Sequence, residues 1–88
     1  MVHTTLTLAQ HIGRRLRARR RLLEWSQAEL GERCGISFQQ VHKYEAAVNR
    51  ISASRLFSLA EALGVTGGYF FDGYDATGGE TEPARSAR

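Results

Sequence analysis

The polar side chains on a short helix predicted over residues 38–45 offer the clearest chemistry in this chain. At roughly 100° per residue, Val41 and Tyr44 fall on one side of that helix and must face the core. The opposite side carries an amide, a cation, an imidazole and an aromatic ring, on Gln39, Lys43, His42 and Phe38. Such groups can bond base edges or touch a thymine methyl in a major groove. For the helix taken alone, a solvated polar face is an equally good interpretation.

Two short helices joined by a tight turn must position these side chains. Ser26 precedes Glu29 by the three residues of a capping box, and Ser37 and Gln40 repeat that spacing. Gly35 can adopt the left-handed conformation that ends a helix. The predicted helices are Gln27–Cys34 and Phe38–Glu45. A turn of about three residues between them is the length expected of a helix-turn-helix.

Three further helices are predicted by apolar periodicity. The first, over residues 8–23, has its apolar stripe at Leu8, Ile12, Leu16 and Leu23. The fourth, Ala53–Leu63, has it at Leu56, Leu59, Ala60 and Leu63. A short fifth helix follows a cap at Thr66 and contains Tyr69, Phe70 and Phe71. The expected fold is an all-α, compact bundle of about five short helices with a central helix-turn-helix.

The 88 residues allow one small domain, predicted over residues 8–72. Residues 1–7 show no pattern and are expected to be a flexible N-terminus. Residues 73–88 are polar, contain Gly and Pro without an apolar period, and are expected to be a flexible tail. The aromatic cluster either packs completely inward or leaves part of itself to meet a second subunit, and the tail is another candidate surface for a protein partner.

Several classes of function find no support in the composition. No carboxylate pair, nucleophile–base arrangement or phosphate-binding glycine loop appears, so no catalytic residue and no enzyme activity are expected. The single Cys34 and three scattered His residues lack metal-site spacing, so no metal or cofactor is expected. No apolar run approaches the ~20 residues of a membrane span. A secretory signal is also missing, which favours a cytoplasmic location.

Positive charge is concentrated in the helical part of the chain. Residues 1–65 hold ten Lys and Arg against five Asp and Glu, whereas residues 66–88 hold two against four. Such a basic body suits a polyanionic partner and would accelerate association with DNA.

Residues 12 to about 72 resemble the lambda-repressor-like, Cro-type helix-turn-helix family, also called the xenobiotic-response-element family. The matching features are Ile12-Gly13, Arg20, Ser26-Gln27-Ala28-Glu29-Leu30, Gly35-Ile36-Ser37, Val41, Tyr44-Glu45, and Leu56 with Leu59-Ala60-Glu61-Ala62-Leu63-Gly64-Val65. The resemblance implies a cytoplasmic, nucleoid-associated transcriptional regulator, a repressor by expectation. It would bind double-stranded DNA as a homodimer on a palindromic operator. An antitoxin of the same fold, which binds a partner protein, is the alternative.

The resemblance also assigns roles to residues. The predicted base contacts are Phe38, Gln39, His42 and Lys43. The predicted contacts to the DNA backbone are Gln27, Ser37, Gln40, Asn49 and Arg50. Arg20 matches a position whose arginine pairs with the acid at the end of the recognition helix, which is Glu45 here. This implies a partly buried ion pair between the first and third helices.

The sequence leaves two features undecided, the conformation at Ala47 and the role of the arginines of the first helix. The family commonly has Gly where this chain has Ala47, and a left-handed conformation would cost Ala ~1–2 kcal/mol. Either the third helix continues for another residue or the loop differs. The first helix carries four arginines mainly outside its apolar stripe, at Arg14, Arg15, Arg17 and Arg21. They form a solvated face or approach DNA phosphate, and the sequence does not choose between them.

Overall fold

The computed structural model describes residues 6–75 and 79–80. Its α-helices are α1 (Leu8–Leu22), α2 (Gln27–Cys34), α3 (Phe38–Glu45) and α4 (Ala53–Leu63), followed by a 3-10 helix (Gly67–Phe71). The bounds of α2, α3 and α4 agree with the sequence prediction, and α1 ends one residue earlier than predicted. The all-α bundle of about five short helices is therefore confirmed.

Side-chain caps explain why the helices begin where they do. Thr7 and Ser26 form complete capping boxes at the starts of α1 and α2. Ser37 accepts the Gln40 N–H at the start of α3, which is one half of the predicted box. Thr66 precedes the 3-10 helix without a side-chain cap, so the predicted capping role is wrong there. Its backbone carbonyl instead accepts the Tyr69 N–H at 3.1 Å.

The core draws side chains from all four α-helices and the 3-10 helix. Its buried members are Leu16, Leu30, Val41, Leu59, Ala60, Leu63 and Phe70. Leu8 departs from the predicted stripe, because it is 40% exposed in the first turn of α1. Phe71 is 44% exposed, so the interpretation in which the aromatic cluster packs completely inward is wrong.

Helix α1 also holds the segment that follows the 3-10 helix. The buried His11 ring lies with Nε2 2.7 Å from the Asp72 carbonyl oxygen, and its centroid is 5.3 Å from that of Tyr74. The Tyr74 hydroxyl donates to the Leu6 carbonyl at 3.1 Å. The folded region therefore extends past the predicted limits of 8–72.

A short antiparallel pair continues this segment. Strand β1 (Tyr74–Asp75) pairs with β2 (Gly79–Glu80), inside a region that the sequence predicts to be a flexible tail. The rest of the two predicted flexible ends, residues 1–5, 76–78 and 81–88, lies outside the described residues.

Candidate nucleic-acid interface

Two glycines allow the backbone around helix α3 to pack closely, because Gly13 of α1 lies against the end of α3 and Gly31 of α2 lies against the turn that precedes α3. A Cβ atom on Gly13 of α1 would stand 2.5 Å from the Glu45 carbonyl oxygen and 2.8 Å from that of Tyr44. A Cβ atom on Gly31 of α2 would collide with the Ile36 carbonyl oxygen. Only glycine fits at both positions without moving backbone. Close approach explains why α2 tolerates a glycine that costs helix stability.

A buried ion pair fixes the carboxyl end of α3 to α1. The Arg20 guanidinium donates from Nε to Glu45 Oε2 at 2.6 Å and from Nη2 to Glu45 Oε1 at 3.0 Å. Its Nη1 donates to the Trp25 carbonyl oxygen at 2.7 Å. The two side chains are only 10% and 4% exposed. Bidentate geometry and the additional backbone acceptor satisfy a cation that would be costly to bury alone.

With its inner side fixed, α3 presents its opposite side to solvent. Val41 is fully buried and Tyr44 is half-buried against the core. The four residues predicted to contact bases are all exposed on one surface, at Phe38, Gln39, His42 and Lys43. Phe38 leaves 52% of its surface exposed beside these polar side chains.

Gln27, predicted to contact the DNA backbone, is tied to α3. Its Nε2 donates to Glu45 Oε1 at 3.1 Å and lies 3.4 Å from His42 Nδ1. The side chain thus links the buried ion pair to an exposed imidazole of α3. Gln40 is half-buried, and the Ser37 hydroxyl accepts its backbone N–H.

The loop over residues 46–51 resolves the alternatives raised by Ala47. Helix α3 ends at Glu45, and Ala47 itself adopts the left-handed conformation, with φ of 60°. The chain accepts the strain, and the Val48 N–H donates to the Lys43 carbonyl at 2.9 Å. Both predicted alternatives, a longer third helix and a loop of different conformation, are therefore wrong. Asn49 and Arg50 are exposed in this loop, near Tyr44 of α3 and the beginning of α1.

An open cleft of about 400 Å³ lies between this loop and the beginning of α1. It is lined by Thr7, Leu8, Ala9, Ile12, Tyr44, Asn49, Arg50 and Ile51. The exposure of Leu8 reflects this cleft, because the loop does not close over the first turn of α1.

Across residues 6–75 and 79–80, no cluster of three or more His, Cys, Asp and Glu is arranged to hold a metal ion. The same part of the chain has no helix of the length and apolarity that a membrane crossing requires. Cys34 is half-buried, and burial raises the pKa of its thiol, an effect that the neighbouring Arg55 charge opposes.

Sequence reasoning missed the role of one side of α1. His11, Arg15 and Arg19 all bind backbone carbonyl groups near the end of the described fold, at Asp72, Tyr69 and Leu63. A histidine beside an apolar stripe is the one available signal, and it does not identify a partner some 60 positions away.

A family model for the helix-turn-helix matches residues 16–70. An uncharacterized HTH-type transcriptional regulator from Sinorhizobium medicae is 47% identical over 73 residues, which cover 83% of this chain and 52% of the relative. The chain spans about half the length of the curated relatives it matches.

Solved structures show the same fold. The P22 c2 repressor, crystallised in complex with a synthetic operator, is 32% identical with a TM-score of 0.64, and the match covers 67% of this chain and 89% of the repressor. The restriction-modification controller protein C.AhdI from Aeromonas hydrophila is 27% identical with a TM-score of 0.69, over 72% and 96% of the two chains.

Proposed function

Because the chain belongs to the lambda-repressor-like, Cro-type helix-turn-helix family, we propose that it is a sequence-specific DNA-binding regulator of transcription, and that it represses. The observation that carries the proposal is the surface of α3. An amide, an imidazole, a cation and a phenyl ring are exposed together there, on a helix whose opposite side is fixed to the rest of the domain. A helix of this diameter, roughly 10–12 Å with side chains, fits a major groove about 12 Å wide.

Gln39 is the central base-reading residue in this proposal. It lies directly opposite the buried side of α3, so it points farthest from the domain. Its amide can donate to and accept from adenine N6 and N7 in a bidentate contact. Lys43, one turn along, reaches guanine or a nearby phosphate, and Phe38 at the first position of α3 can contact a thymine methyl.

The loop over residues 46–51 supplies phosphate contacts on the side of α3 that carries Gln40. Arg50 and Asn49 are exposed there, and Gln40 lies at the same edge of the helix. Contacts of this kind hold the helix in register and give affinity without sequence information. On the other side, the backbone amides around Ser37 and the beginning of α2 beside Gln27 favour an anion.

A homodimer on a palindromic operator completes the proposal. One α3 surface reads too few base pairs for strong specificity, and two copies would read half-sites about one helical turn, ~34 Å, apart. The partly exposed Phe71 is available for a contact with a second protein molecule. An antitoxin that also binds a partner protein would use the same exposed aromatic residue, and co-purification with an unrelated small protein would favour it.

Selection from random duplex DNA tests this function. We expect a two-fold symmetric consensus, with affinity that falls steeply as salt rises. A pool that shows no enrichment, or an enriched sequence without symmetry, would contradict specific binding or the dimer respectively.

Substitutions of two neighbouring glutamines then test which residues read bases and which contact the DNA backbone. Gln39→Ala should erase preference at one base pair, at a cost of about 1–3 kcal/mol for the preferred base. Gln40→Ala is the matched control, because it removes the same group from the flank of α3 and should leave the base preference unchanged. Arg50→Ala should weaken all duplexes alike. Equal behaviour of the three variants on specific and random DNA would refute the assignment.

A further inference from the structure

The arginines of α1 differ in what their side chains contact. Arg15 donates to the Tyr69 carbonyl of the 3-10 helix, Arg19 donates to the Leu63 carbonyl at the end of α4, and Arg20 is bound to Glu45. Arg17 is exposed and lines a cleft of about 140 Å³ between α1 and α3. The cleft is completed by Arg20, Gln27, His42, Glu45 and Ala46.

The carboxylate in this cleft is already neutralised. Glu45 accepts from two nitrogens of Arg20 and from the Gln27 amide, and its side chain is 4% exposed. The buried pair therefore contributes no net charge to the cleft. The groups that remain at its mouth are the Arg17 guanidinium and the His42 imidazole, which favour an anion.

The Gln27 amide is compatible with a donor role for His42. Its nitrogen can only donate, and it lies 3.4 Å from His42 Nδ1, so the contact fits the tautomer in which Nδ1 is the acceptor. In that tautomer the ring proton is on Nε2. In that form His42 can donate a hydrogen bond beside Arg17.

The position of His42 on α3 indicates which part of DNA it meets. On a helical projection, His42 lies between the outward Gln39 and the inward Glu45, on the flank nearest α1. Because α3 nearly fills the width of a major groove, that flank must approach one of the two bordering phosphate rows.

We infer that Arg17 and His42 together bind one backbone phosphate on the α1 side of the recognition helix. This inference rests on the proposed function. It moves His42 from base reading to phosphate contact, and it selects Arg17 as the α1 arginine that reaches DNA.

Matched charge removals on α1 test the site. Arg17→Gln should weaken binding about tenfold near 0.1 M salt, on the selected operator and on an unrelated duplex alike. The slope of log affinity against log salt should become shallower by about one. Arg21→Gln removes the same charge one turn away from an exposed position outside the cleft, and it should change affinity less than twofold.

Replacing single phosphates of the operator by neutral methylphosphonates identifies the phosphate that Arg17 and His42 contact. Methylphosphonate substitutions are placed one at a time along the selected operator, and the position that weakens the wild-type chain most on the α1 side is identified. Arg17→Gln should be insensitive to that substitution, and His42→Ala should lose most of its sensitivity, while Arg21→Gln should keep the wild-type response.

The outcomes separate the two proposals. A wild-type chain that prefers no duplex sequence overturns the proposed function. A wild type with a clear preference, whose Arg17→Gln and Arg21→Gln variants behave alike, overturns the phosphate site only. A change in base preference on His42→Ala, without a change in phosphate sensitivity, also overturns it. Unchanged thermal melts of the variants establish that each difference arises at the surface.

Discussion

The two long sides of helix α1 use the same residue type in different ways. On the side toward the C-terminal segment, Arg15 and Arg19 donate to the carbonyl oxygens of Tyr69 and Leu63, both at 2.9 Å. On the side toward α3, Arg20 is buried with Glu45, and Arg17 lines an open cleft. One side joins α1 to the end of α4 and to the 3-10 helix. The other side carries the buried ion pair that joins α1 to α3, together with an exposed arginine beside the proposed DNA surface.

This contrast shows that arginine content alone says little about nucleic-acid binding. The +3 formal charge of the chain includes guanidinium groups whose donors are already engaged inside the protein. A guanidinium can bond a phosphate directly only where its donors face outward, although its charge adds to the long-range field in either case. Substitutions at three positions test this contrast, and each is expected to change stability by a different amount.

The largest effect is expected on the α3 side, at Glu45. Glu45→Ala leaves Arg20 buried without its carboxylate, which should lower the free energy of unfolding by roughly 3–5 kcal/mol. Thermal and urea melts without DNA measure it. Glu32→Ala, an exposed carboxylate on α2, is the control and should change stability little. An unchanged melt for Glu45→Ala would show that the ion pair adds nothing to stability.

A smaller effect is expected on the C-terminal side, at Arg15. Its guanidinium lies 3.8 Å from the Tyr69 ring centroid and donates to the Tyr69 carbonyl. Its 3.8 Å contact with the exposed Asp72 carboxylate should add little. Arg15→Ala should therefore lower stability by about 1–2 kcal/mol.

The Arg15 variant also separates the two sides of α1. At a temperature where the variant remains folded, its salt slope for DNA binding should equal that of the wild type, since Arg15 does not line the cleft beside α3. A slope reduced as strongly as that of Arg17→Gln would mean that both sides of α1 meet DNA.

The smallest effect is expected at Ala47, and it has the opposite sign. Glycine adopts the left-handed conformation without the steric cost that alanine bears, so Ala47→Gly should stabilise the domain by about 1 kcal/mol. Denaturant melts measure the gain. Ala46→Gly, next to it in a right-handed conformation, is the matched control and should not stabilise. Destabilisation at Ala47 would mean that the loop relaxes away from this geometry in solution.

The helices were predictable because their signals are local. The caps at Ser26 and Ser37 and the left-handed Gly35 lie within a few residues of the helix ends they define. The exposed surface of α3 followed from helical periodicity once Val41 was assigned to the core. Arg20 and Glu45 were paired through the family resemblance, which no local pattern supplies.

What could not be predicted depends on contacts between distant residues. The four arginines outside the apolar stripe look alike in sequence, and only the path of residues 66–75 decides that Arg15 is engaged. The buried environment of His11 depends on the same path. Ala47 was unpredictable for another reason, because the sequence shows a steric cost without showing whether the surrounding structure accepts it.

The glycine contacts at Gly13 and Gly31 have a consequence for how recognition would be shared between protein and operator. Backbone lies against backbone at the end of α3, at Gly13, and at the turn before α3, at Gly31, and both contacts restrict movement of α3 within its domain. In the proposed complex, the duplex must then supply the adaptation by bending or twisting. Operators rich in pliable pyrimidine–purine steps between the half-sites would bind more tightly, although no side chain reaches those steps.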